Sequence, residues 1–251
     1  MSTRLQLVHV SIASIAARQT AAWWSNVLGW ELIDRDTEHP AIVPPGNGLP
    51  LRFVGSDQPK SRRNRLHFHL GCPGTAARRA MADKLIQQGA RRADVGQGRA
   101  TKLVLRDPEG NEFCLLEPLV DYPDTGPLTE IIIPARNPEA LAEFWAQALG
   151  YVRVPAVNEN AEPLVGLRRR SLTGPALTFS PTDDGAPRLG RVRLAVGGTP
   201  QSTAYLKSLG AKYRKGEDDA HGLTMHDSEG NAFYVLGAPP PEAADSAASP
   251  V

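Results

Sequence analysis

The sequence predicts an α+β protein made of two tandem copies of one unit, each copy a pair of βαβββ modules, and three observations predict it. Its 251 residues exceed one small mixed domain and suit two, each able to bury a core. The segment AAWWSNVLGWELI at 21–33 recurs as AEFWAQALGYVRV at 142–154, aligning Trp24 with Trp145 and Gly29 with Gly150. DPEGNEFCLLE at 107–117 recurs as DSEGNAFYVLG at 227–237, and LIQQGA matches LKSLGA through Gly89 and Gly210 at nearly the same offset. Inside each copy the apolar period then alternates between strand and helix in the order strand, helix, three strands, twice over.

In the first copy LQLVHVSI alternates as a half-buried strand. SIAARQTAAWWSNVLG carries Ile15, Ala22, Trp23 and Val27 near helical spacing, and Gly29 ends that helix. Strands follow at 31–34, 41–44 and 50–54. RLHFHLG opens the second module, TAARRAMADKLIQQG supplies its helix, and strands near Arg91, at 102–106 and at 112–117 complete it. DPEG between the last two is a turn, with Pro at the second position and Gly at the fourth. In the second copy Asn137, Pro138 and Glu139 supply an N-cap, a first-turn proline and an early acid, and Gly150 closes the helix. Strands are expected near Val152 and at 164–168, 176–180, 191–196, 212–214, 222–226 and 232–236. The boundaries are 4–118 for the first domain, 119–127 for a linker, 128–238 for the second domain and 239–251 for a Pro/Ala/Ser-rich tail expected to be disordered.

Composition narrows the function. Lys+Arg 28 against Asp+Glu 27 leaves no field to hold a polyanion, so nucleic acid is not an expected partner. No apolar run reaches bilayer length and no signal core opens the chain, so the expectation is a cytoplasmic protein without a membrane partner. Two cysteines, Cys72 in a Gly/Pro loop and Cys114 in a strand, read as free thiols. Trp23, Trp24 and Trp145 sit at core spacing, while Trp30 reads equally as core or as pocket rim.

The helix endings WWSNVLGW and FWAQALGY, followed in order by DPEGNEFCLLE and DSEGNAFYVLG, resemble the vicinal oxygen chelate superfamily, in particular its glyoxalase and bleomycin-resistance class. The resemblance implies cupped mixed sheets that hold a small organic molecule, with activities ranging from lyases, isomerases and dioxygenases to non-catalytic drug sequestration. Fold alone does not choose among these. Tandem fusion imitates the dimer of single-domain relatives, so either a monomer or a homodimer is expected.

The resemblance also implies ligand positions. In the first copy they fall on His9, Arg52, His67 and Cys114, giving a metal set of His9, His67 and Cys114 without the usual carboxylate. One divalent ion (Zn, Fe, Mn or Ni) in the first domain and no ion at all stand as equal alternatives. Glu112, two residues before Cys114, shares its strand face but lies beside the turn, where solvent is its expected surrounding. Metal-free catalysis would use His67 or His69 as general base with Arg52 as oxyanion partner. The aligned positions of the second copy, Glu130, Thr178, Arg193 and Tyr234, argue against metal, and Glu130 could instead pair with Arg193. Lys60, Arg62, Arg63 and Arg65 read either as a solvated loop or as a steering patch for an anionic ligand.

Overall fold

The alternating runs form strands and the 3.6-period runs form helices, four times in the same order. In the computed structural model, residues 5–33, 38–46, 48–93, 103–117, 124–158, 160–183, 190–217 and 222–238 are described. The first module comprises β1 (Gln6–Ser14), α1 (Ala17–Leu28), β2 (Glu31–Ile33), β3 (Ala41–Val43) and β4 (Leu51–Gly55). The second comprises β5 (His67–Gly71), α2 (Thr75–Gln87), β6 (Arg91–Arg92), β7 (Leu103–Arg106) and β8 (Glu112–Leu116). The third comprises β9 (Leu128–Ala135), α3 (Pro138–Leu149), β10 (Val152–Val157), β11 (Pro163–Arg168) and β12 (Ala176–Pro181). The fourth comprises β13 (Val192–Gly197), α4 (Pro200–Ser208), β14 (Lys212–Tyr213), β15 (Leu223–His226) and β16 (Ala232–Leu236). The expected tail at 239–251 and most of the linker lie outside the described residues.

The modules pair across the two copies. One eight-stranded sheet runs β14-β15-β16-β13-β1-β4-β3-β2 and joins the first module to the fourth; the other runs β10-β11-β12-β9-β5-β8-β7-β6 and joins the second to the third. The seams are the antiparallel pairs β1–β13 and β5–β9, so each first strand of a module finds its partner in the other copy. Sequence periodicity is silent on this choice, because pairing within a copy would use the same strands with the same faces inward.

Each sheet is apolar on one face only. On β5, Phe68 and Leu70 are buried and His67, His69 and Gly71 alternate with them. Val10, Ile12, Leu51, Phe53 and Leu194 of the first sheet and Phe113, Leu115, Ile131 and Phe179 of the second join the helices in one continuous core. The opposite, helix-free face of each sheet carries the polar residues.

The core phase of α1 differs from the sequence expectation. Thr20, Ala21, Trp24 and Leu28 are buried, Trp23 and Val27 pack at the margin, and Ile15 is exposed. The reason is that α1 begins only at Ala17 and turns Trp24 toward the second module. There Trp24 meets Phe68 and Phe113 edge-on, with ring centroids 5.6 and 5.2 Å away. Its indole N–H donates to Oδ2 of Asp107 at 3.0 Å. Trp145 on α3 repeats the arrangement, with Phe233 at 5.1 Å and its indole donating to Asp227. Trp30 is buried and belongs to the core.

The D-x-E-G-N segments therefore staple neighbouring modules of one copy that serve different sheets. Asp107 Oδ1 accepts the backbone N–H groups of Glu109 and Asn111, which closes the turn. Gly110 supplies the positive φ of 86° that the turn requires. Glu109 caps α1 from a distance: its carboxylate accepts the N–H groups of Ile15 and Ala16 and the hydroxyls of Ser14 and Thr20. Glu229 does the same for α3 through Asn137 N–H at 2.9 Å. The helices end as their sequences dictate, with Gly29 and Gly150 left-handed at φ 66° and 67°.

Candidate functional site

The helix-free face of the second sheet gathers three potential ligands. His69 lies opposite Cys114 in the parallel β5–β8 ladder, and His67 is two residues along the same face. One donor atom from each of His67, His69 and Cys114 falls within 4.8 Å of the others. The two imidazole rings are 5.2 Å apart. Cys114 is a buried free thiol, as is Cys72.

Behind this cluster stands a carboxylate from the other copy. Glu130 on β9 is the antiparallel partner of His69, and its Oε2 lies 3.0 Å from His69 Nδ1. Its Oε1 accepts the Thr178 hydroxyl at 2.9 Å, which fixes the carboxylate plane. Burial alone would lower the His69 imidazole; the Cys114 sulfur and the Glu130 carboxylate outweigh it and raise the group to about 9. His69 Nε2 is buried without a hydrogen-bond partner of ordinary geometry among the described residues. An imidazole oriented on one nitrogen by a carboxylate, with the other nitrogen turned toward a thiol and a second imidazole, is a donor set that fits a divalent ion.

His9 and Arg52 are not part of that cluster. They lie on the first sheet, because β1 pairs with β13 and β4, not with β5. The metal set expected from sequence, His9, His67 and Cys114, is thus divided between two sheets. His69 takes the place beside His67 and Cys114 that His9 was expected to fill. The expected catalytic set is divided in the same way, with Arg52 on one sheet and His67 and His69 on the other. Glu130 and Arg193, considered as a pair, are also parted, since Arg193 on β13 belongs to the first sheet. The signal that sequence reading lacked was the seam partner of β5. Given β9 as that partner, Glu130 falls opposite His69 by register alone.

On the first sheet His9 is buried, with Nε2 3.0 Å from the Ser11 hydroxyl. Burial, then the nearby Arg52 charge, lowers its imidazole to about 4. The folded protein therefore keeps His9 neutral where an unfolded chain takes up a proton. The contribution is present above the ordinary histidine value and is lost as pH falls from about 6.5 toward 4. Urea titrations across that window are expected to show a loss of up to roughly 3 kcal/mol that His9→Gln reduces. A parallel pH profile for wild type and variant would contradict the assignment.

Glu112 does not face solvent as expected. It is buried, accepts Lys60 Nζ at 2.8 Å and Asn64 N–H at 3.1 Å, and lies 3.5 Å from Arg106 Nε. The basic segment thus folds back over the start of β8, and Glu112 is committed to it. A cavity of about 270 Å³ lined by Glu143, Gln147, Tyr151, Arg170 and Tyr205 lies beside α3 and includes none of His9, Arg52, His67, His69, Cys114 and Glu130 in its lining.

The model of the glyoxalase-like domain family matches the chain twice, at residues 9–116 and 130–236. The chain belongs to the glyoxalase-like domain family. With it the chain enters the vicinal oxygen chelate superfamily, in a tandem form. No curated protein matches it. Among solved structures, glyoxalase I from Zea mays is similar at 15% identity with a TM-score of 0.62, covering 93% of this chain and 92% of that one. A putative dioxygenase from Bacillus subtilis subsp. subtilis str. 168 is similar at 14% identity with a TM-score of 0.59, covering 97% and 89%. Both likenesses establish the fold of this glyoxalase-like chain, two eight-stranded sheets with their helices. Among its described residues no helix is long and apolar enough to cross a membrane.

Proposed function

We propose that this glyoxalase-like protein binds a small organic molecule against the helix-free face of its second sheet, with one divalent ion held by His67, His69 and Cys114. The observation that supports it is the convergence of these three donors within 4.8 Å, backed by Glu130 on His69 Nδ1. Two imidazoles and a thiolate suit Zn²⁺ and the softer first-row ions, and suit Mg²⁺ or Ca²⁺ poorly. When bound, the ion supplies Lewis-acid polarisation of a substrate oxygen, the chemistry of metal-assisted lyases, isomerases and oxygenases.

The chain's own residues perform the rest. Without an ion the raised His69 imidazole carries a proton on each nitrogen at neutral pH; the Nε2 proton leaves when an ion binds, while Glu130 keeps the other on Nδ1 and so orients Nε2 toward the cluster. Thr178, bonded to the other carboxylate oxygen, keeps Glu130 from turning away. Ile132, opposite His67, and Val104, opposite Cys114, give the same face apolar walls for the organic part of a ligand.

Zinc titration of chelator-treated protein is expected to show one ion per chain. His67→Ala should weaken binding by about a hundredfold, roughly 3 kcal/mol. Zn²⁺ should also slow iodoacetamide labelling of Cys114. Absence of zinc binding, with labelling of Cys114 unchanged, would sink the metal reading and leave metal-free sequestration of a drug or natural product as the function.

A further inference from the structure

We propose that the helix-free face of the first sheet is a separate, metal-independent site for the carboxylate or phosphate end of a small organic molecule, held by Arg52, Arg193 and Ser11. The register makes the row. Ser11 on β1 is the partner of Arg52 on β4 and also of Arg193 on β13. Three adjacent strands thus carry Arg52, Ser11 and Arg193 at one level of the sheet, with the Arg193 guanidinium resting on Tyr234 of β16. Neighbouring strands are about 4.8 Å apart, so the two arginine backbones are roughly 10 Å apart, a span from which both side chains reach one oxyanion. The alternation confirms the face: Leu51 and Phe53 beside Arg52, and Val192 and Leu194 beside Arg193, belong to the core on the other side.

Arg193 is held in advance of any ligand. Its Nη1 donates to the Tyr234 hydroxyl at 2.8 Å, its Nε donates to the Gly190 carbonyl at 3.0 Å, and its guanidinium lies 5.0 Å from the centre of the Tyr234 ring. A guanidinium oriented this way loses little freedom when an oxyanion docks. His9, hydrogen-bonded to Ser11, adds a neutral polar group to the row.

The two sheets differ in sign. Strands β4, β1, β13, β16 and β15 contain no Asp or Glu, whereas the corresponding centre of the second sheet holds Glu112 and Glu130. Two fixed positive charges on the first sheet oppose a divalent cation and attract an anion. Val54 and Ala13 on the same face offer apolar wall for the remainder of the ligand. The tandem fusion therefore builds one face for a cation and one for an anion out of the same four modules.

The test uses the full chain stripped of metal with a chelator, titrated with inorganic phosphate and separately with acetate, and read by NMR at the His9 ring. His9 touches Ser11 and senses Arg52, so its resonance localises the anion to this face. A saturable His9 shift is expected, with phosphate or acetate the stronger according to the group the site takes. Arg52→Gln and Arg193→Gln should each weaken it about tenfold or more, and Arg52→Lys by less. If Arg193→Gln loses the native spectrum, the pair Arg52→Gln and Arg52→Lys carries the test. No saturable shift with either anion, or unchanged affinity in a natively folded Arg52→Gln protein, overturns the proposal. Because metal is absent throughout, the outcome is independent of the zinc titration.

Discussion

Asp107→Ala lowers the unfolding free energy by about 4 kcal/mol or more, measured by urea denaturation. Asp107 is almost fully buried, and four donors converge on it: the Trp24 indole, the Asn111 side-chain amide, and the backbone N–H groups of Glu109 and Asn111. Alanine strands all four. Hydrogen bonds to a charged acceptor are worth roughly 1.5–3 kcal/mol each, so the gross loss is larger than the expected value. Part of it is offset because burial penalises the ionised carboxylate and raises its pKa, and part because the turn relaxes. Asp107→Asn, which keeps one carbonyl acceptor but turns an amide toward the other donors, should fall between. An alanine variant within about 1 kcal/mol of wild type would remove the staple from the account of module docking.

The second large effect is a difference between the two copies. Glu109→Ala should cost about 3–5 kcal/mol, whereas the equivalent Glu229→Ala should cost about 1 kcal/mol. Both carboxylates cap a helix of the preceding module, yet only Glu109 also pairs with a cation largely withdrawn from solvent. Arg191 Nη2 lies 2.6 Å from Glu109, and its side chain is 13% exposed. Arg136, the partner of Glu229 at 3.1 Å, is 59% exposed. Removing Glu109 leaves a largely desolvated guanidinium without its counter-charge, while removing Glu229 leaves a solvated one. Thermal or urea midpoints of the two variants, measured side by side, check the ranking; equal losses would mean that capping alone sets the effect.

These contacts mark the limit of what the sequence carries. The tandem repeat, the order of elements and the glycine stops at Gly29 and Gly150 were legible, because periodicity and left-handed glycine are local signals. The cap of α1 was not, since Glu109 reaches Ile15 and Ala16 from the far end of the next module. The phase of α1 was only partly legible for the same reason: Trp24 is in the core as its spacing suggests, but Phe68, Phe113 and Asp107, none of which is near it in sequence, turn it inward and leave Trp23 and Val27 at the margin. At the candidate metal site the chemistry of His67, His69 and Cys114 was visible in one module, but their relation to Glu130 depends on the β5–β9 seam. His9 and Arg52 were grouped with them by copy, whereas strand pairing groups them with Arg193 and Tyr234.

In the function proposed above, His69 and Cys114 are ligands of one ion, and Glu130 from the other copy orients His69. Cobalt substitution tests it most directly, because a thiolate on Co²⁺ produces a charge-transfer absorption that a cysteine-free site lacks. One Co²⁺ per chain with a thiolate band is predicted. The band should disappear in Cys114→Ser, and in Glu130→Gln it should persist at an affinity about tenfold or more weaker. A Co²⁺ complex without that band, or one unaffected by Cys114→Ser, would contradict the account.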